Sequence, residues 1–286
     1  MDVARRIRAL PDHLVELILS KLPVQVARTI SRGALRDANL RVTSIAPGEN
    51  AEWLELKPYP SLLTLRIRVG DAVVPPPVIN IPYSQLVHLE CEDLALRALD
   101  VTGCENLTTL CCGANRLTVL DVTQCTRLAK LRCSHNLLAA LDVAHCPQLT
   151  TLSCQTNYIV ALDVSRCPQL ETLMCNKNRL AALDVTGCAR LTTLRCNENR
   201  LAALDVTGCA HINVLMCDRN GLAALDVSDC ARLTTLACDH NQLAALDVAH
   251  CPQLTTLMCS HNRIASVVGL CCPKLTCFDA RFMDLA

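Results

Sequence analysis

Leu191-x-x-Leu194-x-Cys196-x-x-Asn199-x-Leu201-x-x-Leu204-Asp205-Val206-x-x-Cys209 is one unit of a pattern that recurs every 21 residues along this chain. Nine consecutive units run from Leu86 to Lys274, and those starting at Leu107, Leu128, Leu149, Leu170, Ile212 and Leu233 keep the same frame. The outer two are degraded: the first has Leu94 where Asn is expected, and the ninth replaces Leu-Asp-Val by Val267-Val268-Gly269. A period of this length marks a stack of small structural units rather than a closed globule. Within Leu-x-x-Leu-x-Cys, alternate residues point to opposite faces, so the segment predicts a short strand with its leucines and cysteine inward. A 21-residue unit buries too little to fold alone. Stacking on both neighbours supplies its missing hydrogen bonds and closes a continuous core.

Composition agrees. Of 286 residues, 51% are apolar yet only 2% aromatic, which argues against the interlocked mixed core of a compact enzyme. Lys+Arg and Asp+Glu balance at 27 each, so no net field draws the chain to nucleic acid or an anionic membrane. Met1–Asp12 carries five charges and no apolar core of signal-peptide length. The longest uncharged run, Val143–Leu162, is broken by His145, Gln148, Gln155 and Asn157, which a lipid-facing helix would not tolerate. A soluble chain with neither a nucleic-acid nor a membrane partner is expected.

The polar residues fall into columns. All 21 cysteines lie after residue 90, and 18 of them occupy two unit positions: the sixth, from Cys91 to Cys259, and the nineteenth, from Cys104 to Cys272. A free cysteine behaves as a small hydrophobe, and the repeat contains no Cys-x-x-Cys chelating pair, so these read as buried, reduced thiols. So many unpaired thiols imply a reducing compartment, hence a cytoplasmic protein. The asparagine column from Asn115 to Asn262 faces inward and must bond turn groups of adjacent coils, because a buried amide is costly otherwise. The eight aspartates from Asp100 to Asp247 would repel one another at one-rung spacing. Local capping of a turn is the expected compensation.

The Leu-x-x-Leu-x-Cys-x-x-Asn-x-Leu core resembles the leucine-rich repeat. The short unit with its Leu-Asp-Val return resembles the 21-residue repeats of many bacterial and some viral and protist proteins. The resemblance implies a right-handed α/β solenoid with a parallel sheet on its concave side, and a face that binds a protein. Unit positions two, three, five, seven and eight then point outward, and their variation nominates Glu90, Arg132, Met174, Lys177, Arg195, Met216, Arg219, His240, Met258 and His261 as partner-binding residues. Asp218, Asp239, His240 and His261 fall at positions seven and eight of successive rungs, but a column does not fix ligand geometry. They are read as solvated groups, and no metal or other cofactor is expected. Cys133/His135, Cys238/His240 and Cys259/His261 place thiol and imidazole on opposite faces, which disfavours a nucleophilic pair. No Gly-rich phosphate loop or dinucleotide fingerprint occurs, and no catalytic activity is expected.

Residues 1–48 differ in kind. They lack cysteine, and Leu14, Ile18 and Leu22 recur at helical spacing between Pro11 and Pro23. Two or three helices of this size must dock on something else. Leu10-Pro11-Asp12-His13-Leu14-Val15-Glu16-Leu17-Ile18-Leu19-Ser20-Lys21-Leu22-Pro23 resembles the opening of an F-box, a small α-helical module that binds a Skp-type adaptor and thereby a cullin ubiquitin ligase. That resemblance assigns adaptor binding to Leu10, Pro11, Leu14, Leu17, Ile18, Leu22 and Pro23, and substrate recruitment to the repeats. The alternative is a repeat scaffold or effector with no ubiquitin link. Residues 49–85 read as an irregular linker and capping rung, because Pro47-Gly48, Pro58-Tyr59-Pro60 and Pro75-Pro76-Pro77 break regular structure while Leu62-x-x-Leu65-x-Ile67 repeats the strand pattern 24 residues before Leu86. Residues 275–286 read as a C-terminal cap, with Phe278 and Phe282 available to close that end.

Overall fold

The computed structural model describes residues 84–270 and 272–281, together with the strand segments Leu54–Glu55 (β1), Thr64–Arg66 (β2) and Val78–Asn80 (β3). Leu10, Pro11, Leu14, Leu17, Ile18, Leu22 and Pro23 lie outside the described residues. From His88 onward each rung contributes a three-residue strand at unit positions three to five: His88–Glu90 (β4), Thr109–Cys111 (β6), Lys130–Arg132 (β7), Thr151–Ser153 (β8), Thr172–Met174 (β9), Thr193–Arg195 (β10), Val214–Met216 (β11), Thr235–Ala237 (β12), Thr256–Met258 (β14) and Cys277–Asp279 (β16). With β2 they make one 11-stranded parallel sheet, every neighbour hydrogen-bonded to the next rung. Residues 21 apart are partners, as in Thr172↔Thr193↔Val214.

The sheet is longer than the nine units by one rung at each end. β2 pairs with β4 in the expected 24-residue register, Thr64 opposite His88. At the other end β16 continues the 21-residue register with Thr256 opposite Cys277, so Leu275 and Phe278 occupy the first and fourth unit positions of a further rung. Phe278 takes a core position but remains 46% exposed.

The seven inward positions behave as the pattern requires. In the unit from Leu191, Leu194, Cys196, Leu201, Leu204, Val206 and Cys209 are all buried with Leu191, and the same columns run through the whole core. Threonine at position two has a framework role besides strand propensity: the hydroxyls of Thr150, Thr192, Thr234 and Thr255 each donate to the position-two carbonyl of the preceding rung, at 2.9–3.0 Å.

The expected α/β character needs correction, because no helix occurs among the described residues. The return stretch after Asp205 is two successive turns, with the Cys209 amide donating to the Val206 carbonyl (3.0 Å) and the Ile212 amide to the Cys209 carbonyl (3.1 Å). Six residues between Asp205 and Ile212 are too few to repay helix nucleation. Two short parallel sheets flank the main one at the ends: β1 and β3 with Ala98–Asp100 (β5), and Leu246–Asp247 (β13) with Val267–Val268 (β15). The degraded ninth unit has a steric cause. Gly269 replaces the buried valine at a φ of 78°, and a Cβ there would lie 2.3 Å from the Ala249 amide nitrogen.

Candidate interaction face on the concave sheet

Each strand ends in a turn that the sequence alone did not reveal. The position-eight residues Asp93, Ala114, His135, Thr156, Lys177, Glu198, Arg219, His240 and His261 all adopt left-handed φ values of 53–56°. None is glycine, although left-handed backbone disfavours a Cβ. The turn swings the next residue into the core, Leu94 in the first of these rungs and asparagine in the others. Asn157 then accepts from the Leu138 amide in the preceding rung (3.0 Å) and donates to the carbonyls of Cys133 in that rung (3.1 Å) and Cys154 in its own (3.0 Å). The expected bridging of adjacent coils is therefore present, rung after rung.

On this frame the position-five side chains form one continuous outward row. Register places Glu90, Cys111, Arg132, Ser153, Met174, Arg195, Met216, Ala237, Met258 and Asp279 side by side, one per strand. Small members are buried between their neighbours, as Cys111, Ser153 and Ala237 show. Ala237 is thus covered between Met216 and Met258, one strand to either side. The row changes character along its length. It carries Arg132 and Arg195 in its middle and turns apolar from Met216 to Met258.

The remaining nominated residues, Lys177, Arg219, His240 and His261, sit beside this row on the position-eight turns. Lys177 lies 3.6 Å from Glu198, an exposed pair of small energetic weight. His240 and His261 stack, ring centroids 4.1 Å apart and planes within 12°, and His240 Nε2 is 4.0 Å from Asp239. Burial, reinforced by the charge on Asp239, pushes the Asp218 carboxyl up to about 6. These groups do not converge: among the described residues no set of three or more His, Cys, Asp or Glu side chains could hold a metal ion. Sequence reasoning missed Asp279 and Arg281, which extend the face by a rung. Arg281 grips Asp279 with two hydrogen bonds, 3.0 and 2.7 Å, that hold its carboxyl down at about 2. Extending the 21-residue period beyond Met258 would have found them.

The cysteines stand behind this face. Desolvation pushes Cys154 and Cys196 in the strand column up to about 12, and Cys146 and Cys167 in the turn column to about 11. Thiols so far above neutrality are poor nucleophiles and poor metal ligands.

A repeating parallel strand, an inward asparagine at its end and seven aliphatic or thiol columns behind it decide the architecture. The fold is a leucine-rich-repeat solenoid. No family model and no curated protein matches the chain. Solved leucine-rich-repeat structures do. It is similar to an internalin from Listeria monocytogenes, at 18% identity and a TM-score of 0.67 over 99% of this chain and 90% of that one. It is also similar to YopM from Yersinia enterocolitica, at 22% identity and 0.64 over 85% of this chain and 60% of that one. The functional domain of InlJ from Listeria monocytogenes is 29% identical over 69% of this chain, with a TM-score of 0.44, and the solenoid spans 54% of its length.

Proposed function

We propose that this chain is a protein-interaction scaffold that holds a protein partner on its concave face and catalyses nothing itself. The observation that carries this reading is the position-five row: a fixed backbone register presenting charged, methionine and small side chains in an order that does not repeat. Methionine and arginine are adaptable contact residues at protein interfaces. The neutral, desolvated thiols suit a reducing cytoplasm.

A finer reading rests on the F-box resemblance of Leu10–Pro23. On it, those residues engage a Skp-type adaptor, and the concave face recruits a substrate to a cullin ubiquitin ligase. The alternative is a scaffold or effector without any ubiquitin link. One experiment separates them. Tagged wild type, Leu14→Asp/Ile18→Asp and Met216→Asp/Met258→Asp proteins are compared by quantitative co-purification. The scaffold reading expects a protein that Met216→Asp/Met258→Asp no longer recovers, and it fails if that variant and wild type recover the same set. The F-box reading also expects a Skp-type adaptor with wild type that is lost with Leu14→Asp/Ile18→Asp. Equal, poor recovery of adaptor by both removes it.

A further inference from the structure

The side of the solenoid past the asparagine turn carries a second patch that the concave face does not use. Position ten is held at one height in successive rungs, because its amide donates to the position-eleven carbonyl of the rung before: Arg116 to Leu96, Leu137 to Leu117, Tyr158 to Leu138 and Arg179 to Ile159, all at 2.7–2.9 Å. Positions twelve and thirteen, two and three residues on, are both exposed. In the later rungs positions twelve and thirteen are alanine pairs, as in Ala181-Ala182, Ala202-Ala203, Ala223-Ala224 and Ala244-Ala245. Apolar bulk there appears only earlier, at Val119 (72% exposed) and Val160 (56%), and it is joined at position ten by Tyr158 (44%) and Leu137 (41%). Four large apolar side chains are thus exposed on three consecutive rungs, and exposed apolar surface of this kind marks interaction sites.

Charge decides its occupant. At position ten the order along the solenoid is Arg116, Leu137, Tyr158, Arg179, so an arginine stands at each end of the apolar pair. Arg179 lies over the Tyr158 ring at 4.5 Å from its centroid. Among the described residues neither arginine is paired with a carboxylate. The aspartate row, which includes Asp121 and Asp142, has its carboxylates bonded to its own turns. We propose that this lateral face binds an extended peptide segment of a protein partner in which two acidic residues flank an apolar run. Three rungs at about 4.8 Å separate the arginines by roughly 14 Å, and an extended chain rises about 3.3 Å per residue, so the acidic residues should stand about four apart. Apolar side chains at the centre favour a peptide over nucleic acid, whose phosphates would need a denser basic surface.

The probe is a fluorescein-labelled Gly-Glu-Leu-Phe-Val-Glu-Gly peptide, compared with its analogue carrying Lys for both Glu and with a ten-nucleotide polyuridine RNA. Fluorescence anisotropy with the full chain is expected to show the acidic peptide binding at least tenfold more tightly than the lysine analogue. Arg116→Glu/Arg179→Glu should invert that preference, a result that loss of folding cannot produce. Leu137→Ser/Val160→Ser should weaken the acidic peptide at least fivefold, while Met216→Asp/Met258→Asp on the concave face should leave it unchanged. Equal binding of the two peptides, preference for the RNA, or loss in the concave variant alone would overturn the proposal. So would a concentration-dependent dimer in sedimentation that Leu137→Ser/Val160→Ser abolishes, since the patch would then belong to a second copy.

Discussion

Two polar rows climb this solenoid at the same one-rung spacing, and they are built in opposite ways. The asparagine row is buried or half-buried, and each amide bonds backbone two ways, to its own rung and to the preceding one. The aspartate row is exposed, and every carboxylate from Asp100 to Asp247 accepts the amide two residues on in its own turn, at 2.8–3.0 Å. One row couples rungs and the other shapes a single turn. The feared repulsion among the aspartates is accordingly overcome: hydrogen bonds from the Thr186 amide and hydroxyl hold Asp184 below the ordinary carboxylate range despite Asp205 and Asp163 above and below it. The two cysteine columns differ similarly. In the strand column the sulfurs lie among leucines, while in the turn column Cys167 leans on the carbonyls of Val143 (3.7 Å) and Cys146 (3.8 Å) in the preceding rung.

The largest test of this contrast is Asn157→Ala. It orphans the buried Leu138 amide and takes one of two asparagine donors from the Cys133 and Cys154 carbonyls, which keep Asn136 and Asn178, so a loss of about 3–4 kcal/mol is expected in chemical denaturation, with accelerated exchange at the Leu138 amide. A loss below about 1 kcal/mol would mean that the rungs are held by apolar stacking alone. Serine substitution discriminates the cysteine columns at intermediate size. Cys175→Ser strands a hydroxyl among leucines and should lose about 2–3 kcal/mol, whereas in Cys167→Ser the hydroxyl inherits two carbonyl acceptors and should lose about 1 kcal/mol. Equal losses would dismiss the sulfur–carbonyl contacts as passive packing. The smallest effect belongs to Asp184→Ala. Its folded-state pKa is depressed, so the stabilisation is present above the unfolded value of 3.8 and fades as pH falls through the lower folded one. The wild-type advantage over Asp184→Ala should be modest at pH 7 and shrink as pH falls below 3.8; an advantage that grew in acid would contradict the turn bond.

Much of this was legible because a strict period turns residues into columns. The leucine, valine and thiol columns, the bridging asparagines and the aspartate turns all follow from which groups water must lose and what can replace it. Position eight was not legible. Asp93, Ala114, Thr156, Lys177 and Glu198 share no chemistry, and Asp93 takes the same left-handed backbone with Leu94 after it, so the turn belongs to the frame of the repeat rather than to the residue that occupies it. The α/β character implied by the resemblance failed for want of length between Asp205 and Ile212. The concave row could be nominated from alternation alone, but its interior grading, with Cys111, Ser153 and Ala237 sunk between larger neighbours, depends on who stands beside whom across strands. The lateral patch escaped notice because Val119 and Val160 look like ordinary aliphatic residues in an aliphatic sequence until their exposure is known.

The stacked sulfur columns make each rung its own witness. Of the described thiols, 18 are buried and Cys277 is exposed. An alkylating reagent offered to the intact molecule therefore meets Cys277 long before the interior, and every later label dates the moment at which one particular coil came apart. Read peptide by peptide in a mass spectrometer, the chain would report the order in which it unzips, without any probe having been added to it.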